Sequence, residues 1–138
     1  MGGVGAGAKN LRYLLDTHTV IWAAEGDERL GPEARRIVKD CPIAEVGVAS
    51  VSLLEIAMLS AKRRIRTVSP LEIYLRKLEA HFPILFLDGR IAADAVGLPL
   101  DSGDPFDRVI VATARSCGVP LFSRDRAIQS SGLVKVVW

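Results

Sequence analysis

Cysteine is nearly absent from this sequence. Its two copies, Cys41 and Cys117, lie far apart in unrelated surroundings. That excludes a disulfide framework and the paired spacings of a structural zinc site, and leaves buried free thiols as the reading. Histidine is as scarce, with only His18 and His81. Aromatic residues make up 6% of the chain, so few side chains are on offer for stacking. The net charge of +2 is too small to nominate a polyanion partner by electrostatics alone, although it leaves room for local basic patches. No apolar run approaches the roughly 20 residues of a membrane-spanning helix, and no internal repeat or interdomain linker is visible. What remains is a chain of 138 residues, 49% of them hydrophobic and 25% charged. Such a chain makes one globular domain that buries about two-thirds of its unfolded surface.

The first residues, Met1-Gly-Gly-Val-Gly-Ala-Gly-Ala-Lys9, lack the basic and apolar regions of a secretory signal. Ala6 breaks the myristoylation pattern. The glycines imitate a phosphate-binding loop, but Ala8 stands where the lysine is needed, Asn10 stands where Ser or Thr should follow Lys9, and no strand precedes them. Residues 1–10 are therefore expected to be a flexible leader, residues 11–138 a single domain, and the protein cytoplasmic.

From Leu11 onward, apolar strands alternate with helical stretches. Strands are expected at Leu11–Leu15, Ala44–Ala49, Pro83–Leu87, Val119–Ser123 and Val134–Trp138. Helices are expected over Thr19–Ala24, from Gly31-Pro32 to about Lys39, and from Ser50 to about Lys62. Further helices run from Ser69-Pro70 to about Ala80, over Asp88–Val96, and from Pro105 to Gly118. The Ser69-Pro-Leu-Glu72 stretch has the form of a capping box with proline in the first helical position. Near-continuous apolarity in the strands fits burial on both faces. The alternation predicts an α/β fold with a mainly parallel central sheet.

The most informative stretch is Asp104-Pro-Phe-Asp-Arg108. Asp104 reads as an N-cap and Pro105 as the first helical residue, which places Asp107 in the first turn of a helix. Asp16 and Asp125 each follow directly on an expected strand. Glu55, like Asp107, is expected in the first turn of a helix. In parallel sheets ligands bind beyond the carboxyl ends of the strands, so four acids from distant parts of the chain have reason to share one rim. Each acid also has a local explanation. Ser52-Leu-Leu-Glu55 has the form of a capping box, which by itself favours a backbone role for Glu55. Asp107 suits a helix N-terminus, and Asp16 and Asp125 suit turns. The conjunction of all four on one rim outweighs these separate readings. Clustered carboxylates without histidine or cysteine partners call for a hard cation such as Mg²⁺ or Mn²⁺. Around such an ion they predict hydrolysis of a phosphodiester.

Among the remaining polar residues, Arg108, Arg124 and Arg126 flank two of the acids, and Arg108 and Arg124 are candidate phosphate contacts. Asp101 could line the rim. Asp88 and Asp94 read as a helix start and a solvated helix face. His18 either touches a substrate or packs, and His81 reads as a turn residue. Trp22 reads as core and Trp138 as a packed chain end. The basic run from Lys62 to Arg66 reads as a complement to the C-terminal dipole of its helix.

Taken in order, Tyr13-Leu-Leu-Asp-Thr-His18, Val51-Ser-Leu-Leu-Glu-Ile-Ala57, Leu98-Pro-Leu100, Asp104-Pro-Phe-Asp-Arg-Val-Ile-Val-Ala-Thr-Ala114 and Val119-Pro-Leu-Phe-Ser-Arg-Asp125 resemble the PIN-domain ribonucleases, in particular the VapC-like toxins of prokaryotic toxin–antitoxin pairs. The resemblance spans about Leu11 to Trp138. It implies a three-layer α/β/α sandwich and a metal-dependent endoribonuclease, with Asp16, Glu55, Asp107 and Asp125 around Mg²⁺ or Mn²⁺. Thr17 and Ser123 are implied as supporting hydroxyls near the first and last acids. It further implies an RNA substrate, a homodimer, and a cognate antitoxin that wraps the protein and covers the site. The loop before Asp104 departs from the pattern, reading Asp101-Ser-Gly where relatives often carry a histidine. Two other readings stay open on the residues alone: a non-catalytic module whose acids bind a metal or a basic protein segment, and a nuclease of DNA or flap substrates. A phosphoacceptor role for Asp16 is weaker, because no suitably placed lysine follows the later strands.

Overall fold

The computed structural model describes residues 10–138. The expected leader falls almost wholly outside these residues. Five short strands form one sheet: β1 (Tyr13–Leu15), β2 (Val46–Ala49), β3 (Ile84–Leu85), β4 (Leu121–Phe122) and β5 (Val136–Val137). Their spatial order is β3-β2-β1-β4-β5, and every neighbouring pair is parallel. Seven helices connect and flank the strands among the described residues: α1 (Thr17–Glu25), α2 (Pro32–Asp40), α3 (Ser50–Ala61), α4 (Leu71–His81), α5 (Gly89–Gly97), α6 (Pro105–Cys117) and α7 (Arg126–Ser131).

Strand periodicity separates two cores. Leu15, Val48, Phe122 and Val137 face one side, where they pack with Val20 and Trp22 of α1, Ala34 of α2, Ile56 of α3 and Tyr74 and Leu78 of α4. Leu14, Ala49, Leu85 and Leu121 face the other side, against Ile91 of α5, Ile110 and Val111 of α6 and Ile128 of α7. Successive strand residues point to opposite faces, and here both faces are covered. The strands are apolar without interruption for that reason, and the result is the three-layer sandwich.

The helix starts show where local sequence reading succeeds. Asp88 caps α5 by accepting the Ile91 N–H at 2.9 Å. Asp104 caps α6 by accepting the Phe106 N–H at 2.9 Å, with Pro105 as the first helical residue. Gly26 and Gly118 end α1 and α6 in the left-handed region, with φ of 63° and 65°, as glycine permits at a helix end.

Several expectations are corrected. All five strands are shorter than expected; a 3₁₀ turn at Ile43–Glu45 takes up the start of the second. Helix α4 begins at Leu71, because Pro70 is held extended (φ −51°, ψ 142°) and acts as the cap itself, with no side-chain cap bond. Ser69 therefore forms no capping box, and its hydroxyl is buried without a partner among the described residues. Strand β2 runs straight into α3 with Ala49 as the cap residue. Ser52 thus lies inside the helix, and Glu55 sits in its second turn instead of the first. His81 is the last residue of α4, not a turn residue. Helix α7 was not anticipated; at six residues it is too short to show a period in sequence.

Candidate active site

The strand order reverses direction between β1 and β4. Strands reached from β1 build outward to β2 and β3, whereas β4 and β5 build the other way. A crevice opens at such a switch point, beyond the strand ends. Asp16 follows β1 there, and Ser123-Arg124-Asp125 follows β4. A cavity of about 300 Å³ occupies the crevice, lined by Asp16, His18, Trp22, Glu55, Asp104, Asp107, Arg124 and Asp125. The four acids singled out in sequence are thus brought together. Asp104 joins them, so it is both a helix cap and part of the wall. Asp101 does not line this cavity.

Each carboxylate is held by its own element. Asp16 caps α1, accepting the Thr19 N–H at 3.0 Å and the Thr19 hydroxyl at 2.5 Å. Asp125 caps α7, accepting the Ile128 N–H at 3.0 Å. Ser123 links these two acids. Its buried hydroxyl favours the charged form of Asp16 and accepts the Asp125 N–H at 3.1 Å. Glu55 accepts the hydroxyl of Thr17, which also lies 3.0 Å from the Ser52 hydroxyl. Thr17, implied as a partner of the first acid, thus serves the second. The capping-box alternative for Glu55 falls, because its carboxylate meets Thr17 instead of its own helix start. Asp107 receives only a long contact from the Ser102 hydroxyl, at 3.4 Å.

Burial, aided by neighbouring charge at two of them, raises the proton affinity of three of these acids. Burial pushes the Asp16 carboxyl up, opposed by its bonds from Thr19 and Ser123. Burial also raises Glu55, with the Asp104 and Asp16 charges adding to it and the Thr17 bond opposing. Asp107 is pushed up to about 7, first by burial and then by Asp104, Asp125, Glu55 and Asp16. Five carboxylates around one cavity are electrostatically incomplete, and a cation among them relieves the repulsion.

The donor set fits a hard divalent ion. It is all oxygen, and such ions are held by one or two carboxylates with several waters retained. Among the described residues no three His, Cys, Asp or Glu side chains are spaced to hold an ion as they stand, so an ion would draw the carboxylates closer or reach some of them through water.

The arginines divide. Arg108 was a candidate phosphate contact, and the structure assigns it elsewhere. Its Nε donates to the Ser102 carbonyl at 3.0 Å, one terminal nitrogen to Ala95 and Leu98 at 3.1 and 2.8 Å, and the other to Leu100 at 2.9 Å. It fastens the α5–α6 loop from inside α6. Arg124 remains in the cavity. Its guanidinium lies over the Trp22 ring at 5.0 Å, a cation–π arrangement, and among the described residues its donors meet no acceptor. Trp22 is buried as expected, yet it also forms part of the cavity wall.

Sequence reading gives Thr19 and Ser102 no part in the site, and reads Ser52 only as a capping-box residue. Thr19 carries a signal, since it stands three residues after a capping Asp. The true partners of Ser52 and Ser102 carry none, because they come from another element or across a loop.

Residues 13–131 match the PIN domain, and the chain belongs to the PIN-domain family. It is 35% identical over 118 residues to Ribonuclease VapC22 of Mycobacterium tuberculosis, an alignment covering 85% of this chain and 89% of that protein. Solved structures share the fold at lower identity. A toxin–antitoxin complex from Klebsiella pneumoniae superposes with a TM-score of 0.66 at 21% identity, covering 91% of this chain and 96% of that one. Mycobacterium tuberculosis VapC20, described as a sarcin-ricin loop cleaving toxin, superposes with a TM-score of 0.65 at 18% identity, covering 90% and 98%. No helix among the described residues is long and apolar enough to cross a membrane.

Proposed function

We propose that residues 11–138 form a single nuclease domain that hydrolyses RNA internally with Mg²⁺ or Mn²⁺, and that the protein is the toxin of a toxin–antitoxin pair. The observation that carries this reading is the convergence of Asp16, Glu55, Asp107 and Asp125, from four separate elements, on one cavity at the switch point of the sheet. The likeness to Ribonuclease VapC22 supports RNA as the substrate class.

Asp16, Glu55, Asp107 and Asp125 are the residues that would hold the ion. When bound, a divalent ion polarises a phosphoryl oxygen and makes water easier to deprotonate. The chain's own contribution is positional. Thr19 holds Asp16 in one orientation through its N–H and hydroxyl, and Thr17 does the same for Glu55, so these carboxylates need little rearrangement at the moment of reaction. Asp107 has the weakest hydrogen-bond support of the four, a single long contact from Ser102, so it is the carboxylate freest to adjust as ion and substrate enter. Arg124 faces the same cavity with donors free for a phosphate oxygen.

A cognate antitoxin is proposed as the partner that covers the site, in keeping with the toxin–antitoxin complex among the structural neighbours. A homodimer is proposed as the assembly. It has support in Leu54, Phe86 and Leu87, exposed by 57%, 55% and 44%. Leu87 is tied to the start of α3 by its N–H bond to the Ser50 hydroxyl at 3.1 Å.

The test is incubation of the purified protein, free of antitoxin, with a structured RNA pool and with total cellular RNA, in Mg²⁺ or Mn²⁺, with EDTA and Asp107→Asn controls and cut ends mapped by sequencing. Discrete cuts that need metal and vanish in the variant are expected. Folded wild-type protein that leaves both RNA samples intact with either metal overturns the nuclease reading.

A further inference from the structure

A second cavity, of about 260 Å³, adjoins the acidic one and shares Glu55 and Asp104 with it. Its other walls include Met58 and Lys62 of the α3 end, Arg64 beyond it, and Phe106 in the first turn of α6. Taken locally, the basic run from Lys62 to Arg66 complements the dipole of its helix. The backbone removes the need for that role. The last carbonyls of α3 already accept main-chain N–H groups, Met58 from Lys62 at 3.0 Å, Ser60 from Arg63 at 3.0 Å and Leu59 from Arg64 at 2.8 Å. Arg63 takes a left-handed conformation with φ of 57°, uncommon for a residue with a side chain. That turn stops the helix and returns the chain so that Lys62 and Arg64 line one cavity. Among the described residues neither side chain has an ion pair or a side-chain hydrogen bond. Cationic groups without partners, beside an aromatic ring and a thioether, at the edge of a carboxylate cluster, do not suit a small metal ion. They suit a phosphate with a base attached.

We propose that this cavity is the subsite for the nucleotide next to the scissile phosphate of a single-stranded RNA, with Lys62 and Arg64 taking its phosphate and Phe106 stacking its base. The inference rests on the ribonuclease reading for the position of the scissile bond, and on the shared Glu55 and Asp104 wall for the adjacency. Base–aromatic stacking tolerates any base, so this subsite supplies affinity and register and leaves sequence choice elsewhere.

The subsite is tested by binding, in the full chain carrying Asp107→Asn, with a fluorescein-labelled single-stranded RNA of mixed sequence followed by anisotropy over a range of salt. Lys62→Ala and Arg64→Ala are each expected to weaken binding and to lower the slope of log K against log salt by about 0.7. Phe106→Leu is expected to weaken binding about tenfold with the slope unchanged, and Phe106→Tyr to retain it. In the otherwise wild-type enzyme, Arg64→Ala raises KM and leaves kcat nearly unchanged, since it removes a contact made equally before and during reaction. Unchanged affinity and slope in both charge variants, or no RNA binding by the Asp107→Asn parent, overturns the subsite. So does weakened binding of a polyglutamate probe with RNA binding intact, which identifies a docking point for an acidic protein segment. The two proposals fail separately. Wild-type cleavage with unaffected Lys62 and Arg64 variants leaves the nuclease standing without this subsite. Loss of RNA binding in those variants, in a chain that never cleaves, leaves an RNA site without the nuclease.

Discussion

At the scale of single residues, the site depends as much on hydroxyls as on carboxylates. Thr17 is buried and donates to Glu55. Replacing it by valine keeps the volume and removes the donor. Thr17→Val is expected to slow metal-dependent RNA cleavage about tenfold, as loss of a supporting hydrogen bond commonly does, while thermal unfolding shows an intact fold. Arg108 is the converse case, a charged residue beside the acids with a structural task. Its four carbonyl partners lie in the α5 end and the following loop. Arg108→Ala leaves those carbonyls without their charged donor and is expected to cost about 3 kcal/mol of stability, measured by urea unfolding. Arg108→Lys recovers only part of this, because a single ammonium cannot reproduce the planar fork. A variant that loses RNA affinity without losing stability would contradict this assignment.

At the scale of elements, the site is an arrangement of helix starts. Helices α1, α6 and α7 each begin at an aspartate that caps them, Asp16, Asp104 and Asp125, and all three aspartates line one cavity. Capping and site-building are therefore the same geometry here. In sequence the two roles look like rivals, and Asp104 reads as a cap alone. The sheet beneath must hold the strand ends in register for this to work, and β2 shows how closely it is packed. A Cβ on Gly47 would meet methyls of Leu11 and Leu85 at 2.6 Å. Gly47→Val is expected to destabilise the protein by roughly 1–3 kcal/mol through overpacking, seen as a lower urea midpoint. Cleavage per folded molecule should change little, since Gly47 lies within the strand and not at its end.

At the scale of the whole molecule, repulsion among the acids links stability to pH and to metal. The raised Asp107 carboxyl holds its proton more firmly in the folded chain, near 7, than its ordinary value of 3.8. A raised acid penalises the folded state above the folded value, and the penalty fades as pH falls through 7 toward 4. Metal-free Asp107→Asn is accordingly expected to melt higher than wild type at about pH 8, with the advantage shrinking as pH falls through this window. Added Mg²⁺ is expected to raise the wild-type melting temperature more at the higher pH, because the ion binds the charged cluster. Equal melting curves across the range would remove the electrostatic account. The proposed assembly is checked at the same scale. Phe86→Glu is expected to shift a sedimenting dimer to monomer, and a wild type that sediments as a monomer removes the dimer.

What the sequence determined by itself was local or repetitive. Apolar runs bounded by turns announced a parallel α/β sheet. Caps such as Asp88 and Asp104, and the terminator Gly118, announced themselves because their partners lie within a few residues. The four acids were legible for the same reason, since each sits at a strand end or early in a helix. The tertiary structure alone decided which polar groups meet. Thr17 reaches Glu55 across 38 positions, Arg124 lies on Trp22 from a distant strand end, and Arg108 turns into its own loop instead of outward. The same holds for Ser52, whose capping-box pattern was dissolved when β2 ran directly into α3. A hydrogen-bond pattern over three or four residues is written in the chain. A partner chosen across a sheet depends on strand order, and strand order is settled by how both apolar faces are covered at once.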